Sequence, residues 1–339
     1  MTALWARGRS ASGQGTRDCI RIVPWYADAA VRRMKGPELP ALSQDRETAG
    51  QGDGLSGEYG GIRERMSFRI SAAARTHVGR IRTNNEDNFY LQKHIRKDVN
   101  QGSAFCGGTW KDRSFLAAVA DGMGGEDSGE IASLLAVQAL SPCRFEEMEG
   151  TARASIDRAN EKICEEIEKN SGRRMGSTLA ALYIDGGQAR CCNIGDSRAY
   201  LLREGKLLQL SVDHNKAKRM VELGALTPEQ AARHPSRHEL TQHLGIFQEE
   251  MLIQPAFSAP VRLQAGDMFL LCSDGLTDMV TETAIAACLS REATPEEQAE
   301  SLVQQALAGG GRDNVTVIVI QVEEAQPSVW RRLLTGGSG

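Results

Sequence analysis

Five acidic sites in this chain stand where an apolar run meets a turn marked by glycine or asparagine. Phe115 to Ala120 runs into Asp121-Gly122, and Met268 to Ser273 runs into Asp274-Gly275. Asp196 follows Cys191-Cys192-Asn193-Ile194-Gly195, and Asp313-Asn314 opens Val315 to Ile320. The fifth, Glu86-Asp87, lies between Asn84-Asn85 and Phe89-Tyr90-Leu91. Short apolar runs bounded by turn residues are buried strands. Taken singly, Asp-Gly is an ordinary turn dipeptide. Repeated against one strand after another, it gathers carboxylates at the ends of rigid elements. Such a cluster repels itself unless cations neutralise it. With oxygen as the only donor on offer, Mg²⁺ or Mn²⁺ is the natural occupant.

Composition narrows the function classes. The 339 residues are 41% hydrophobic and 25% charged, which suits a soluble globular protein of one large or two small domains. A net charge of −4 without a basic stripe excludes the usual nucleic-acid footprint. No apolar stretch reaches the length of a membrane span, and the start lacks the apolar centre of a signal peptide. The eight cysteines form no C-x-x-C pair and lie mostly in apolar segments, as expected of reduced thiols in the cytosol. The reading is therefore cytoplasmic, with no nucleic acid and no membrane as partner.

Residues 1–65 are rich in Gly, Arg, Ser and Pro and read as a disordered extension, with Met66 as an alternative start of translation. From 66 to 323 helices and strands mix, and 324–339 reads as a tail. Helical periodicity appears at Ser128–Leu140 and Thr151–Lys169. Consecutive hairpins follow, Ser177–Ile184 turning into Ala189–Ile194, and Arg198–Leu202 turning into Lys206–Leu210. Thr227-Pro228-Glu229-Gln230 and Thr294-Pro295-Glu296-Glu297 are capping boxes opening two helices, the second stopped by Gly309-Gly310-Gly311. Hairpins with interspersed helices argue for an α+β fold of antiparallel sheets covered by helices.

The motifs Arg82-Thr83-Asn84-Asn85-Glu86-Asp87, Ala120-Asp121-Gly122-Met123-Gly124-Gly125, Gly176-Ser177-Thr178, Gly195-Asp196-Ser197-Arg198, Ser273-Asp274-Gly275 and Arg312-Asp313-Asn314 occur in one order. The set resembles the PP2C family of metal-dependent Ser/Thr protein phosphatases, its bacterial branch above all, over about residues 67–323. The resemblance implies a four-layer α/β/β/α sandwich with two antiparallel sheets flanked by helices. It implies two Mn²⁺ or Mg²⁺ ions at one end, and a third held more weakly. Asp121 would bridge the pair, with the Gly122 carbonyl on one ion. Asp274 and Asp313 would hold the metal on one side and Glu86 would act on the other, largely through water, with Asp87 behind them. Asp196 would join Asp274 at the third ion. Arg82 would grip the substrate phosphate, and Asn314 would hydrogen-bond near the nucleophilic water.

The implied activity is hydrolysis of phosphoserine and phosphothreonine by a metal-bridging hydroxide, on phosphoproteins and a cognate Ser/Thr kinase, by a monomer. Two divalent ions suit such chemistry because they lower the pKa of a shared water. The planar fork of Arg matches two phosphate oxygens better than Lys does. Met123 stands where eukaryotic members often carry His, so the leaving group needs another proton source. Two alternatives remain at this point, a phosphohydrolase for small esters and a non-catalytic regulatory module. Intact Asp121, Asp274 and Asp313 weigh against the second.

Residues Asn215 to Gly245 resemble the family's flap beside the active site, with Arg233, His234, Arg237 and His238 available to read a phosphoprotein. Four of the six histidines, His214, His234, His238 and His243, fall in or beside it, but their spacing fits no compact zinc pattern. The glycine runs lack nucleotide-loop spacing.

Overall fold

The computed structural model describes residues 68–124 and 128–324, all within the compact unit Arg63–Gly339. The expectations for the extension, for Gly125 and for the tail beyond Glu324 lie outside the described residues.

In chain order the first strands are β1 (Phe68–His77), β2 (Asp87–Leu91), β3 (His94–Ile95), β4 (Ser103–Trp110) and β5 (Ser114–Gly124). Helices α1 (Gly129–Gln138) and α2 (Met148–Lys169) follow. Next come β6 (Met175–Ser177), β7 (Leu179–Asp185), β8 (Gln188–Ile194), β9 (Arg198–Arg203) and β10 (Lys206–Gln209). The flap carries α3 (Lys216–Glu222) and α4 (Pro228–Ala231). Then come β11 (Ala256–Phe257), β12 (Val261–Arg262), β13 (Met268–Cys272), α5 (Asp274–Thr277), α6 (Glu282–Leu289), α7 (Pro295–Ala308) and β14 (Val315–Glu324).

Two antiparallel sheets result. One runs β10-β9-β13-β14-β1-β4; the other runs β11-β8-β7-β5-β2-β3, with β12 on β8 and β6 on β5. Strand alternation sorts side chains into layers. On β5, Phe115, Ala117 and Val119 enter the core between the sheets, while Leu116, Ala118 and Ala120 face the core under α1 and α2. On β14, Ile318, Ile320 and Val322 join the inter-sheet core, while Val315, Val317 and Val319 pack beneath α6 and α7. Three cores separating four layers give the α/β/β/α sandwich that the motifs implied. Central strands covered on both faces explain why these runs read as continuously apolar rather than alternating.

Helix ends follow their local chemistry. Both expected capping boxes are formed, at Thr227/Gln230 and Thr294/Glu297. Helix α2 buries Ile156, Ala159, Ile163 and Ile167, but starts at Met148, three residues before the expected Thr151. Strand β1 runs from Phe68 to His77, paired with β14 along its whole length and with β4 from Ile70 onward.

Candidate metal centre

The registers bring the acidic sites to one end of the sandwich. Asp87 opens β2 and pairs directly with Asp121 near the end of β5. In the other sheet, Cys272 of β13 lies opposite both Arg198 of β9 and Val317 of β14. Asp274 follows Cys272 by two residues, while Asp196 precedes Arg198 by two and Asp313 precedes Val315 by two. The antiparallel alternation therefore lays these acids along a single edge. Like charges opposite one another in a ladder are unfavourable, so packing gives no reason for the Asp87–Asp121 pair.

The strain shows in the titration of the cluster. Burial pushes the Asp121 carboxyl well above the usual carboxylate range, and Asp87, Asp274, Asp196 and Asp313 push it further. Asp87 is fully buried and is raised to about 7, first by burial and against the pull of the Thr316 and Ser273 hydroxyls. Asp196 is raised to about 8 by burial, Asp274 and Asp213.

Polar side chains hold the acids in place. The Ser273 hydroxyl donates to Asp87 Oδ2 at 2.7 Å and accepts the Thr316 N–H at 3.0 Å, tying β2 to β13 and β14. The Thr178 Oγ1 accepts the Asp121 N–H at 3.0 Å, and its own N–H donates to the Asp121 carbonyl at 2.9 Å. Buried Arg96 donates to the carbonyls of Asn85 and Asp87, each at 2.6 Å, fixing the backbone around Glu86. Ser273 and Thr178 stand inside the Ser273-Asp274-Gly275 and Gly176-Ser177-Thr178 motifs. Arg96 belongs to no motif, and nothing local in the sequence marks it.

Glycine is required where backbones meet. A Cβ on Gly122 would stand 2.0 Å from the Gly129 carbonyl oxygen and 2.6 Å from that of Glu86. One on Gly129 would stand 2.5 Å from the Glu86 carboxyl carbon. The Gly122 N–H donates to the Glu86 carbonyl at 3.2 Å. Glu86 is thus packed against the start of α1, beside the cluster.

Arg82 lies at the rim, with its Nη2 donating to Asp313 Oδ2 at 2.8 Å. Partial burial works to lower its pKa, but Asp313, Glu86 and Asp121 raise it overall. Its side chain is 52% exposed, so the guanidinium faces both the cluster and solvent. The Asn314 side chain is engaged with backbone. Its Oδ1 accepts the Glu86 N–H at 2.7 Å, and its Nδ2 donates to the carbonyls of Val78 and Asn84, both at 2.9 Å. Both amide hydrogens are committed to backbone, so here Asn314 fastens the Glu86 loop.

The flap springs from the turn that carries Asp196. The His214 N–H donates to the Gly195 carbonyl at 3.0 Å, and the Gly195 N–H donates back to His214 Nδ1 at 3.2 Å. Arg198 forks onto Asp213, with contacts from 2.6 to 3.1 Å. The flap closes its own base through Lys216 N–H to the Glu239 carbonyl and Thr241 N–H to the His214 carbonyl. His234 caps its own turn, accepting from the Ser236 N–H, while Arg237 reaches back to Asp278 at 3.4 Å.

This donor set fits divalent cations. Asp87 Oδ1 is buried without a hydrogen-bond partner, and the surrounding carboxylates raise one another. A hard, oxygen-preferring ion answers both features at once. Asp87, Asp274, Asp196 and Asp313 all lie near enough to act electrostatically on Asp121.

Comparison with known proteins agrees. The protein phosphatase 2C pattern matches residues 92–309. The chain is 35% identical over 279 residues to the Mycobacterium tuberculosis serine/threonine protein phosphatase PstP, covering 80% of this chain and 49% of PstP, so it spans about half of that relative's length. It is 35% identical over 269 residues to the Listeria monocytogenes serine/threonine phosphatase stp, covering 76% of this chain and 98% of the relative. The PstP catalytic domain, solved in complex with two manganese ions, superposes with a TM-score of 0.60 at 32% identity, covering 76% of this chain and all of that one. By sequence match, layer order and the setting of its acidic edge, the chain belongs to the protein phosphatase 2C family.

Proposed function

We propose that this chain is a metal-dependent protein phosphatase acting on phosphoserine and phosphothreonine. The observation that carries the reading is the mutually repelling, all-oxygen cluster around Asp121 with the Arg82 guanidinium at its rim. Bound Mn²⁺ or Mg²⁺ supplies charge neutralisation and an acidified water. The carboxylates of Asp121, Asp274, Asp313 and Glu86 hold the ions, and Asp87 supports them from behind. Arg82 orients the phosphate by pairing with its oxygens, releasing Asp313 as it does so. Ser273, Thr178, Arg96 and Asn314 keep the carboxylates from relaxing apart.

No described helix is long and apolar enough to cross a membrane. A cytoplasmic monomer that opposes a Ser/Thr kinase and acts on phosphoproteins suits the family membership. Names such as those of PstP and stp support the choice of protein substrates over small esters. The test is hydrolysis of a phosphothreonine peptide with added Mn²⁺, with Mg²⁺, and with excess EDTA. Activity is expected with either ion and none with the chelator. Full turnover in EDTA overturns the metal reading.

A further inference from the structure

A second gathering of carboxylates lies at the opposite end of the sheet that carries β13 and β14. There Met268 stands opposite both Leu202 and Gln321, four residues along β13 from Cys272. A cavity of about 760 Å³ opens at this end, with Leu202 and Met268 in its wall. Glu204, Glu292, Glu297 and Glu323 also line it, against the single guanidinium of Arg291. Glu297 is committed to the Thr294 cap, and Glu323 pairs with Arg69. Glu204 and Glu292 are exposed and, among the described residues, make no ion pair.

Two of the lining residues are held at a cost. Glu204 opens the two-residue turn between β9 and β10 with a φ of 51°, left-handed backbone that favours Asn, Asp or Gly. Strain of this kind persists where the surroundings demand it. Gln298 is 2% exposed and also lines the cavity. Its Nε2 donates to the carbonyls of Leu289 and Arg291, both at 3.1 Å, which fixes the orientation of the amide. Its Oε1 is then left buried without a hydrogen-bond partner. The groove therefore wants a cation for two free carboxylates and an N–H for one orphaned oxygen.

The chain offers both within reach. Strand β14 ends at Glu324, next to the Glu323 that lines the cavity. Beyond it, outside the described residues, come Trp330-Arg331-Arg332-Leu333-Leu334, two guanidinium groups set among apolar side chains. From β14 across β13 to β9 is two strand spacings, about 10 Å. The six residues from Glu324 to Trp330 can span at most about 20 Å. So short a tether holds its end at an effective concentration on the order of millimolar, so that even a weak contact persists. We propose that residues 330–334 dock in this groove on the same chain. Arg331 and Arg332 meet Glu204 and Glu292, and an N–H of the segment serves Gln298 Oε1. Held there, the segment leaves the acidic edge at the other end of the sheet uncovered.

The test follows chymotryptic cleavage after Trp330 in the full chain at low salt, read by mass. In Glu204→Gln/Glu292→Gln, which leaves the tail sequence and the melting temperature unchanged, cleavage should quicken about three- to tenfold, as expected on losing two exposed ion pairs. Sodium chloride at about 1 M should speed the wild type toward the variant and leave the variant unmoved. A second measurement fixes the occupant. In Arg331→Lys/Arg332→Lys a zero-length carbodiimide should join position 331 or 332 to Glu204 or Glu292 within one chain. Links found only between two chains overturn docking on the same chain and give the groove to a second copy. Equal cleavage rates in wild type and the groove variant, with neither acid cross-linked, overturn the proposal and leave the groove to a basic segment of another protein. Neither measurement depends on phosphopeptide hydrolysis, so failure here is distinguishable from failure of the phosphatase reading.

Discussion

Asp121 and Asp87 are gripped by ladder partners, by Thr178 and by Ser273, whereas the flap touches the sandwich chiefly at its base and through Arg237 and His238. The acidic edge therefore cannot relieve its repulsion by moving; only protons or cations relieve it. The flap has the opposite character. Its helices are one or two turns long, and Lys218, Arg219, Leu223 and Arg233 lie at or near the surface. Rigidity belongs where charge must be concentrated, and freedom where a large substrate must be admitted.

The sharpest way to break this contrast is to remove the central acid. Asp121→Asn should lower phosphopeptide turnover more than about a hundredfold at saturating Mn²⁺. It should also raise the metal-free melting temperature, because one member of the repelling set is gone. A destabilised metal-free Asp121→Asn would show that the edge is not strained.

Arg82→Ala comes next. A charge-assisted contact to phosphate is worth about 1.5–3 kcal/mol, so KM should rise roughly ten- to a hundredfold, and Arg82→Lys should recover part of it. The Arg82–Asp313 contact adds a second expectation. Guanidinium and cation compete for one carboxylate, so metal affinity in Arg82→Ala should rise slightly, by less than about 1 kcal/mol for so exposed a pair. Unaltered KM would make Arg82 a surface residue.

The metal-free protein should also respond to pH in an unusual direction. The folded values of Asp87 and Asp196, about 7 and about 8, lie above the ordinary 3.8. Between those limits the native state holds protons that the unfolded chain has lost, so stability present below 3.8 is lost as pH rises through 7 and 8. The Tm in EDTA should fall between pH 5.5 and pH 8, by at least about 2–4 °C for a loss of ~1 kcal/mol. Mn²⁺ should reverse the trend by binding the ionised form. A metal-free Tm that rises over this range would remove the strain from the acidic edge.

The acidic edge was legible in the sequence because each acid adjoins its own strand, so local pattern and tertiary position coincide. The layers were legible for the same reason, through the double-faced runs of β5, β13 and β14. Strand β4 was not, because Ser103 to Trp110 is a half-exposed edge with paired glycines and shows no clean alternation. Helix α6 has eight residues, and its buried face of Ile285, Cys288 and Leu289 is one turn of pattern, too little to stand out in the sequence. Arg96 and Asn314 hold the Glu86 loop through backbone carbonyls, an interaction that side-chain identity does not advertise. The meeting of His238 with Asp278 escaped because it joins elements forty residues apart through a flap with little pattern of its own.

The smallest expected effect tests whether flap and sandwich unfold separately. Asn215 caps α3, its side chain accepting the Lys218 N–H at 2.9 Å. Replacing it with Ala removes a cap worth about 0.5–2 kcal/mol. In a helix of seven residues that is enough to shift the local equilibrium toward frayed states. Amide exchange across Asn215 to Glu222 should quicken roughly three- to thirtyfold, since about 1.4 kcal/mol is a factor of ten. The cooperative melting of the sandwich should stay in place, because β1, β13 and β14 gain nothing from that cap. Hydrolysis of a small aryl phosphate should be unchanged, since Asn215 contributes no ligand. If the global Tm fell together with flap protection, the flap would be one cooperative unit with the acidic edge, and its freedom to admit a protein substrate would have to come from another segment.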